Sequence, residues 1–293
     1  MQVIATVAEM AAARASVPGG VGLVPTMGFL HEGHLSLVER ARRDNEALVV
    51  SIFVNPAQFA PSEDLDRYPR DMDRDLELLA RERADVVFVP TAEEMYPPGF
   101  DDWVDLQGPL VDRLEGASRP GFFRGVCTVV ARLFRIVQPD RAYFGQKDAQ
   151  QLRVIRQMVR DLALPVEIVP MPIVREPDGL AMSSRNAYLS PDQRENAIAL
   201  SRALDEARQM VQDGVRDADR IRSRAQAILD ETEGVSVDYI SVADEQTLHE
   251  LDVVDRPALL LLAARVGATR LIDNTILVPP GVAVSPLLAD LLE

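Results

Sequence analysis

Cysteine is almost absent from this chain: Cys127 stands alone, so no intrachain disulfide can form and no thiolate cage for zinc can be built. Long apolar runs are missing too. Nothing approaches the roughly 18 consecutive apolar residues of a membrane-spanning helix. The opening Met-Gln-Val-Ile-Ala-Thr-Val-Ala-Glu-Met has no charged segment leading into an apolar core. A cytoplasmic location with no membrane partner is the expectation. Positive charge is short, since 31 Lys+Arg against 46 Asp+Glu leave a net charge of −15. Sequence-independent nucleic-acid binding relies on neutralising phosphates, and so acidic a chain is ill suited to it. A local basic site for one small anion is still compatible. The rest is the composition of a folded protein, 47% hydrophobic and 26% charged over 293 residues. That length suits one large domain or two smaller ones.

Lysine is as rare as cysteine. Of 31 basic residues, all but Lys147 are arginine. Arginine therefore meets the need for ordinary surface charge, and the exception calls for a local reason. A compact ammonium on a thin stem fits a narrow pocket holding a phosphate or carboxylate oxygen, where a wide guanidinium fork does not.

The first part of the chain alternates short apolar runs with amphipathic stretches. Strands are expected at 21–24, 48–54, 85–89, 141–144 and 166–169, and helices at about 33–44, 71–81 and 149–162. After Gly125, apolar residues at 126, 129, 130, 133, 134 and 137 mark one face of a further helix. Strand–helix alternation implies right-handed crossovers and a parallel sheet covered on both faces. Beyond about Val174 the texture changes. Ser190-Pro191-Asp192-Gln193 combines an N-cap, a first-turn proline and a capping-box glutamine, opening a helix to about 213. A helix at 218–230 and strands at 235–240, 259–263 and 271–272 complete a smaller α+β unit. The expected domains are 1–174 and 175–293.

Pro25-Thr26-Met27-Gly28-Phe29-Leu30-His31-Glu32-Gly33-His34 follows the first of these strands and opens the first of these helices. In a doubly wound sheet this is the carboxyl-end crevice where ligands bind, and a helix N-terminus there presents N–H groups to an anion. His31 and His34 are either hydrogen-bond donors to phosphate or parts of a helix cap; no third ligand accompanies them, which argues against zinc. Gln58 sits in an Asn-Pro-x-Gln loop after the 48–54 strand. Its neutral amide can orient hydroxyls and a carboxylate, or can simply fix a proline turn; Asn55 suits either purpose. Lys147 and Asp148 follow the 141–144 strand, again on the ligand-binding rim. Asp148 is open to two readings, a cap and a Mg²⁺ ligand. Asp71, Asp73 and Asp75 form an acidic helix start.

These residues carry a resemblance. His31-Glu32-Gly33-His34 has the His-x-Gly-His form of the nucleotidylyltransferase superfamily. Pro25 to His34, Phe53-Val54-Asn55-Pro56-Ala57-Gln58-Phe59, Phe144-Gly145-Gln146-Lys147-Asp148-Ala149-Gln150-Gln151 and Asp178-Gly179-Leu180-Ala181-Met182-Ser183-Ser184-Arg185-Asn186 are similar, in order, to segments of the pantoate–β-alanine ligases. The similarity extends to Arg270-Leu271-Ile272-Asp273-Asn274. It implies a Rossmann-like doubly wound domain, with a smaller C-terminal domain closing over the site. The implied chemistry is ATP-dependent condensation of pantoate with β-alanine through pantoyl adenylate, in a homodimer.

The same resemblance places ATP on Met27, Gly28, Phe29, Leu30, His31, Glu32, Gly33 and His34. It adds Gly145, Gln146, Lys147, Asp148, Val174, Met182, Ser183, Ser184 and Arg185 to that set. His34, His31 and Lys147 become the catalytic candidates, and Gln58, Gln151 and Asn55 the candidates for pantoate and β-alanine. Mg²⁺ falls to Asp148 and Asp75. Two positions depart from the family pattern: Phe122 where histidine is common, which shifts weight onto Arg119 and Arg124, and Gln146 where glutamate is common. An adenylyltransferase that stops at adenylation, or a non-catalytic nucleotide-binding regulator, would be the alternatives.

Overall fold

The computed structural model describes every residue except Pro18, Ser62 and Glu293. By internal contacts the chain forms two compact units, 1–145 with 151–171, and 146–150 with 172 to the C-terminus.

The first unit is built on a six-stranded sheet in the order β1-β4-β3-β2-β5-β6, with every pairing parallel. Its strands are β1 (Gln2–Ile4), β2 (Val21–Thr26), β3 (Ala47–Ile52), β4 (Val86–Phe88), β5 (Arg141–Gly145) and β6 (Glu167–Met171). Between them run α1 (Val7–Ser16), α2 (Glu32–Asp44), α3 (Met72–Arg81), the short α4 (Ala92–Met95), α5 (Pro109–Asp112) and α6 (Glu115–Ser118), then α7 (Phe122–Val137) and α8 (Ala149–Asp161). Strand side chains alternate between two cores. Leu23, Val49, Val86 and Phe88 pack with α7 on one face. Val24, Leu48, Val50 and Val87 pack with Val38 and Ala41 of α2 on the other. That period-2 split of nearly continuous apolar runs is what a doubly covered parallel sheet requires. The strand order reverses between β2 and β5, the switch point at which such sheets bind ligands.

The six apolar positions expected on one face of α7 are all buried, but so are Phe122, Phe123, Cys127, Thr128 and Ala131. The helix is enclosed on more than one side. The β1 strand and α1 precede the first strand expected from the sequence.

The second unit is α+β. Its antiparallel sheet β7 (Val235–Asp244), β8 (Ala258–Val266) and β9 (Thr269–Leu277) carries α9 (Pro191–Gln212) and α10 (Ala218–Asp230) on one apolar face. The Ser190–Gln193 capping box forms as read, and Asp217 caps α10. β9 begins two residues before the expected 271–272 and runs five residues beyond it. A last helix, α11 (Pro286–Leu292), follows.

Candidate active site

β2 ends at Thr26, whose hydroxyl donates to the Ser51 carbonyl and accepts the Gly28 N–H, 2.8 and 3.2 Å. The backbone then passes through two left-handed residues, Gly28 (φ 81°) and Phe29 (φ 51°). For a residue with a β-carbon that conformation costs roughly 1–2 kcal/mol, so something must hold Phe29 in it. The holder is Asp75 on α3. Its two carboxylate oxygens accept the N–H groups of Phe29 and Leu30 at 2.7 and 2.8 Å. Its neighbour Arg74 donates to the Leu30 carbonyl at 2.8 Å. Asp75 is 1% exposed; burial pushes its carboxyl up from the ordinary value, against the two amide bonds that hold it down. A β-carbon on Gly28 would lie 3.0 Å from Asp75 Oδ2 and 2.9 Å from the Ile52 side chain. A cavity of about 490 Å³ opens beside this turn, lined by Met27, Phe29, Phe53, Leu65, Arg70 and Asp75 among others.

The turn delivers two imidazoles to the start of α2. His31 is the extended N-cap residue, and the ring centroids of His31 and His34 are 4.0 Å apart. The His31 backbone N–H donates to His34 Nδ1 at 3.4 Å. A neutral ring whose Nδ1 accepts carries its proton on Nε2, so His34 is set up as a donor at its other nitrogen. Together with the first-turn N–H groups of α2, this makes an anion-directed helix start.

Across the β3 end, Asn55 is 1% exposed. Its amide nitrogen donates to Gln58 Oε1 (3.0 Å) and to the Gly125 carbonyl (3.2 Å), while its oxygen accepts from Tyr96 Oη (2.7 Å) and Ala57 N–H (3.2 Å). Of the two purposes open to it, these bonds favour fixing the loop. Gln58 is turned toward the 27–34 segment, with Nε2 3.3 Å from the Met27 sulfur. Arg119 donates to the Gln58 carbonyl at 3.1 Å, pairs with both oxygens of Glu63 and holds its guanidinium carbon over the Phe122 ring, 3.7 Å from the centroid. Arg124 stacks on Trp103 at 4.7 Å. Gln151 is half-buried in the first turn of α8. Gly145 closes β5.

The remaining candidates belong to the second unit. Lys147 and Asp148 lie in a helical turn at Gln146–Asp148, with Lys147 Nζ 3.8 Å from Asp148 Oδ2. Asp148 is 43% exposed in its side chain, open to a hydrated cation. Val174 accepts the Met182 N–H at 3.0 Å, closing a hairpin that leads into the Ser184–Tyr188 turn. Ser183 caps that turn by accepting the Arg185 N–H; Ser184 is buried and Arg185 half-buried. Among the described residues no group of three or more His, Cys, Asp or Glu is placed to hold a metal ion. Magnesium that keeps most of its waters and binds through phosphates needs only one or two carboxylates, and Asp148 fits that demand. Asp75 already gives both oxygens to backbone N–H groups.

A doubly wound parallel sheet with paired imidazoles on the helix start after its central strand places the chain in the Rossmann-like α/β class. Comparison with known proteins makes the class particular. Residues 2–276 match the profile of the family described as pantoate-beta-alanine ligase. Pantothenate synthetase of Roseiflexus castenholzii is 60% identical over 277 residues, covering 94% of this chain and 99% of that protein. The Thermotoga petrophila enzyme of the same name is 56% identical over 257 residues, or 88% and 91% of the two chains. The crystal structure of pantothenate synthetase from Thermus thermophilus superposes with a TM-score of 0.90 at 51% identity, over 94% of this chain and 99% of the other. That of the Francisella tularensis pantoate-beta-alanine ligase, complexed with beta-gamma ATP and beta-alanine, has a TM-score of 0.79 at 33% identity, over 94% and 97%. The chain belongs to the pantoate–β-alanine ligase family, and its relatives are enzymes that make pantothenate.

Proposed function

We propose that this ligase joins pantoate to β-alanine in two steps at the expense of ATP. A pantoate carboxylate oxygen attacks the α-phosphorus, and pyrophosphate leaves from that phosphorus. The β-alanine amine then attacks the acyl carbon of pantoyl adenylate, forming the amide and releasing AMP. A bare carboxylate has no leaving group for an amine at neutral pH, whereas a mixed anhydride has AMP. The chain must therefore stabilise phosphate charge, exclude water and align the amine.

One observation carries the reading: the start of α2 bears a histidine whose Nδ1 is occupied by a backbone N–H, which favours donation from Nε2. His34 so disposed, with His31 beside it, would hydrogen-bond phosphate oxygens and stabilise charge on the departing pyrophosphate. In the second unit, Lys147 and the Ser183, Ser184 and Arg185 segment would bind phosphate oxygens. Gln58, fixed by Asn55, and Gln151 would orient pantoate and β-alanine. Magnesium would be held mainly by the triphosphate, with Asp148 as its protein ligand, directly or through water. Asp75, expected beside it as a ligand, serves the turn in this reading. The ATP and β-alanine complex of the Francisella relative supports both substrates. A cytoplasmic homodimer is the assembly the family resemblance implies.

The test separates the half-reactions. With ATP, Mg²⁺ and pantoate alone, labelled pyrophosphate should exchange into ATP, and AMP should turn over only once β-alanine is added. Absence of pantoate-dependent exchange in folded protein would refute the adenylate route.

A further inference from the structure

The Arg-Leu-Ile-Asp-Asn segment has no place in the reading above, yet Asn274 bonds the backbone of Gln146 and Lys147 and Asp273 pairs with Arg175, on the hairpin that leads into Ser183 to Arg185. Asn274, 2% exposed on β9, directs its amide nitrogen at two backbone carbonyls, those of Gln146 (2.9 Å) and Lys147 (3.0 Å). Its amide oxygen accepts from Gln146 Nε2 at 3.0 Å. The position-146 departure fits this arrangement, because a glutamate there would offer that oxygen no N–H. Asp273, 3% exposed, pairs with both terminal nitrogens of Arg175 at 2.6 and 3.0 Å. Arg175 also donates to the Gly179 carbonyl of its own hairpin at 3.0 Å. That hairpin, bridged Arg175 to Ala181 and closed by Met182 N–H on Val174, leads directly into Ser183 to Arg185. The Asn274 N–H donates to Asp273 Oδ1 at 2.8 Å, tying the two residues together. Burial raises the Asp273 carboxyl above its ordinary value, with Arg175 the main opposing influence and Lys147 a lesser one.

We propose that Asp273 and Asn274 are a positioning pair. Asn274 sets the backbone that presents Lys147; Asp273, through Arg175, sets the hairpin that presents Ser183 to Arg185. One strand edge thus fixes the spacing of the two segments assigned to the phosphates. The proposal rests on that assignment, and neither residue is given a contact with substrate.

The sole lysine makes a direct test possible. Enzyme labelled at the lysine ε-carbon gives a single lysine methylene resonance, that of Lys147. Asn274→Ala and the near-isosteric Asn274→Asp, which has no N–H to give the two carbonyls, should both move that resonance in folded protein. Both should lower kcat for pantoate-dependent adenylation by roughly tenfold or more, the usual cost of misplacing one oxyanion contact, with little change in KM for pantoate. Asp273→Asn should raise KM for ATP while leaving the lysine resonance closer to its original position than Asn274→Ala does. Should Asn274→Asp fail to fold, Asn274→Ala alone decides. An unmoved resonance with kcat unchanged, or activity lost only in proportion to folded protein, would overturn the proposal. Lys147→Ala run alongside reports on the phosphate assignment itself: adenylation surviving in it refutes that assignment, whatever the Asn274 variants do to the resonance.

Discussion

Asp75 serves two demands that pull against each other. Its charge holds Phe29 and Leu30 in place through two amide bonds, yet burial makes that charge costly. Because the folded-state value is raised, the folded chain binds the proton more readily than the unfolded one. The contribution of this carboxyl to stability is therefore full below the ordinary carboxylate value and is lost as pH rises through the raised one. Urea denaturation of wild type and Asp75→Asn across acidic to neutral pH should show the wild type's relative stability falling through that window; a flat difference would contradict it. An asparagine carbonyl can face only one of the two N–H groups, and its NH₂ opposes the other. Losing one such bond is worth about 1–1.5 kcal/mol, so KM for ATP in Asp75→Asn should rise about five- to tenfold, measured by initial rates. At Lys147 the expectation is geometric. Lys147→Arg keeps the charge but widens the head, and kcat should fall at least roughly tenfold.

The elements were legible to different degrees, for physical reasons. β2 and β3 could be read because their apolar runs are unbroken and both their faces are buried, and α2 because Leu37, Val38 and Ala41 mark one apolar face. The start of α9 was legible because Ser190 and Gln193 form the capping box their order implies, with Pro191 in the first turn. β1 and α1 went unread. The strand has three residues, only one of them buried, although the Thr6–Glu9 capping box of α1 was a usable signal. β9 outruns its sequence pattern because Asp273 and Asn274 look unlike strand residues, and buried partners outweigh their poor strand preference. Packing between elements was also invisible in the sequence. Gly125 of α7 lies so close to the Asn55–Gln58 loop that a β-carbon would fall 2.2 Å from the Ala57 carbonyl oxygen and 2.7 Å from the Gln58 N–H nitrogen. Gly125→Ala must displace that backbone, at a cost of about 1–3 kcal/mol. A thermal melt should show the loss, and kinetics should show a raised KM for pantoate with KM for ATP little changed.

Over the whole molecule, the motifs were legible because the candidate residues after β2, β3 and β5 lie in short local turns, where sequence neighbours remain spatial neighbours. What the sequence could not assign were the residues acting from a distance. Asp75 reaches the turn from 45 positions away, and Asn274 reaches the Lys147 carbonyl from 127. Phe122 shows the same limit: only the structure places Arg119 on its ring and thereby beside the Gln58 carbonyl. The central claim is that pantoate oxygen attacks the α-phosphorus of ATP, and isotope transfer tests it most directly. Pantoate labelled with heavy oxygen in its carboxylate, turned over with ATP and β-alanine, should deliver one labelled oxygen to the phosphate of AMP for each pantothenate formed. Pantothenate accumulating with unlabelled AMP, or with ADP and phosphate instead, would contradict it.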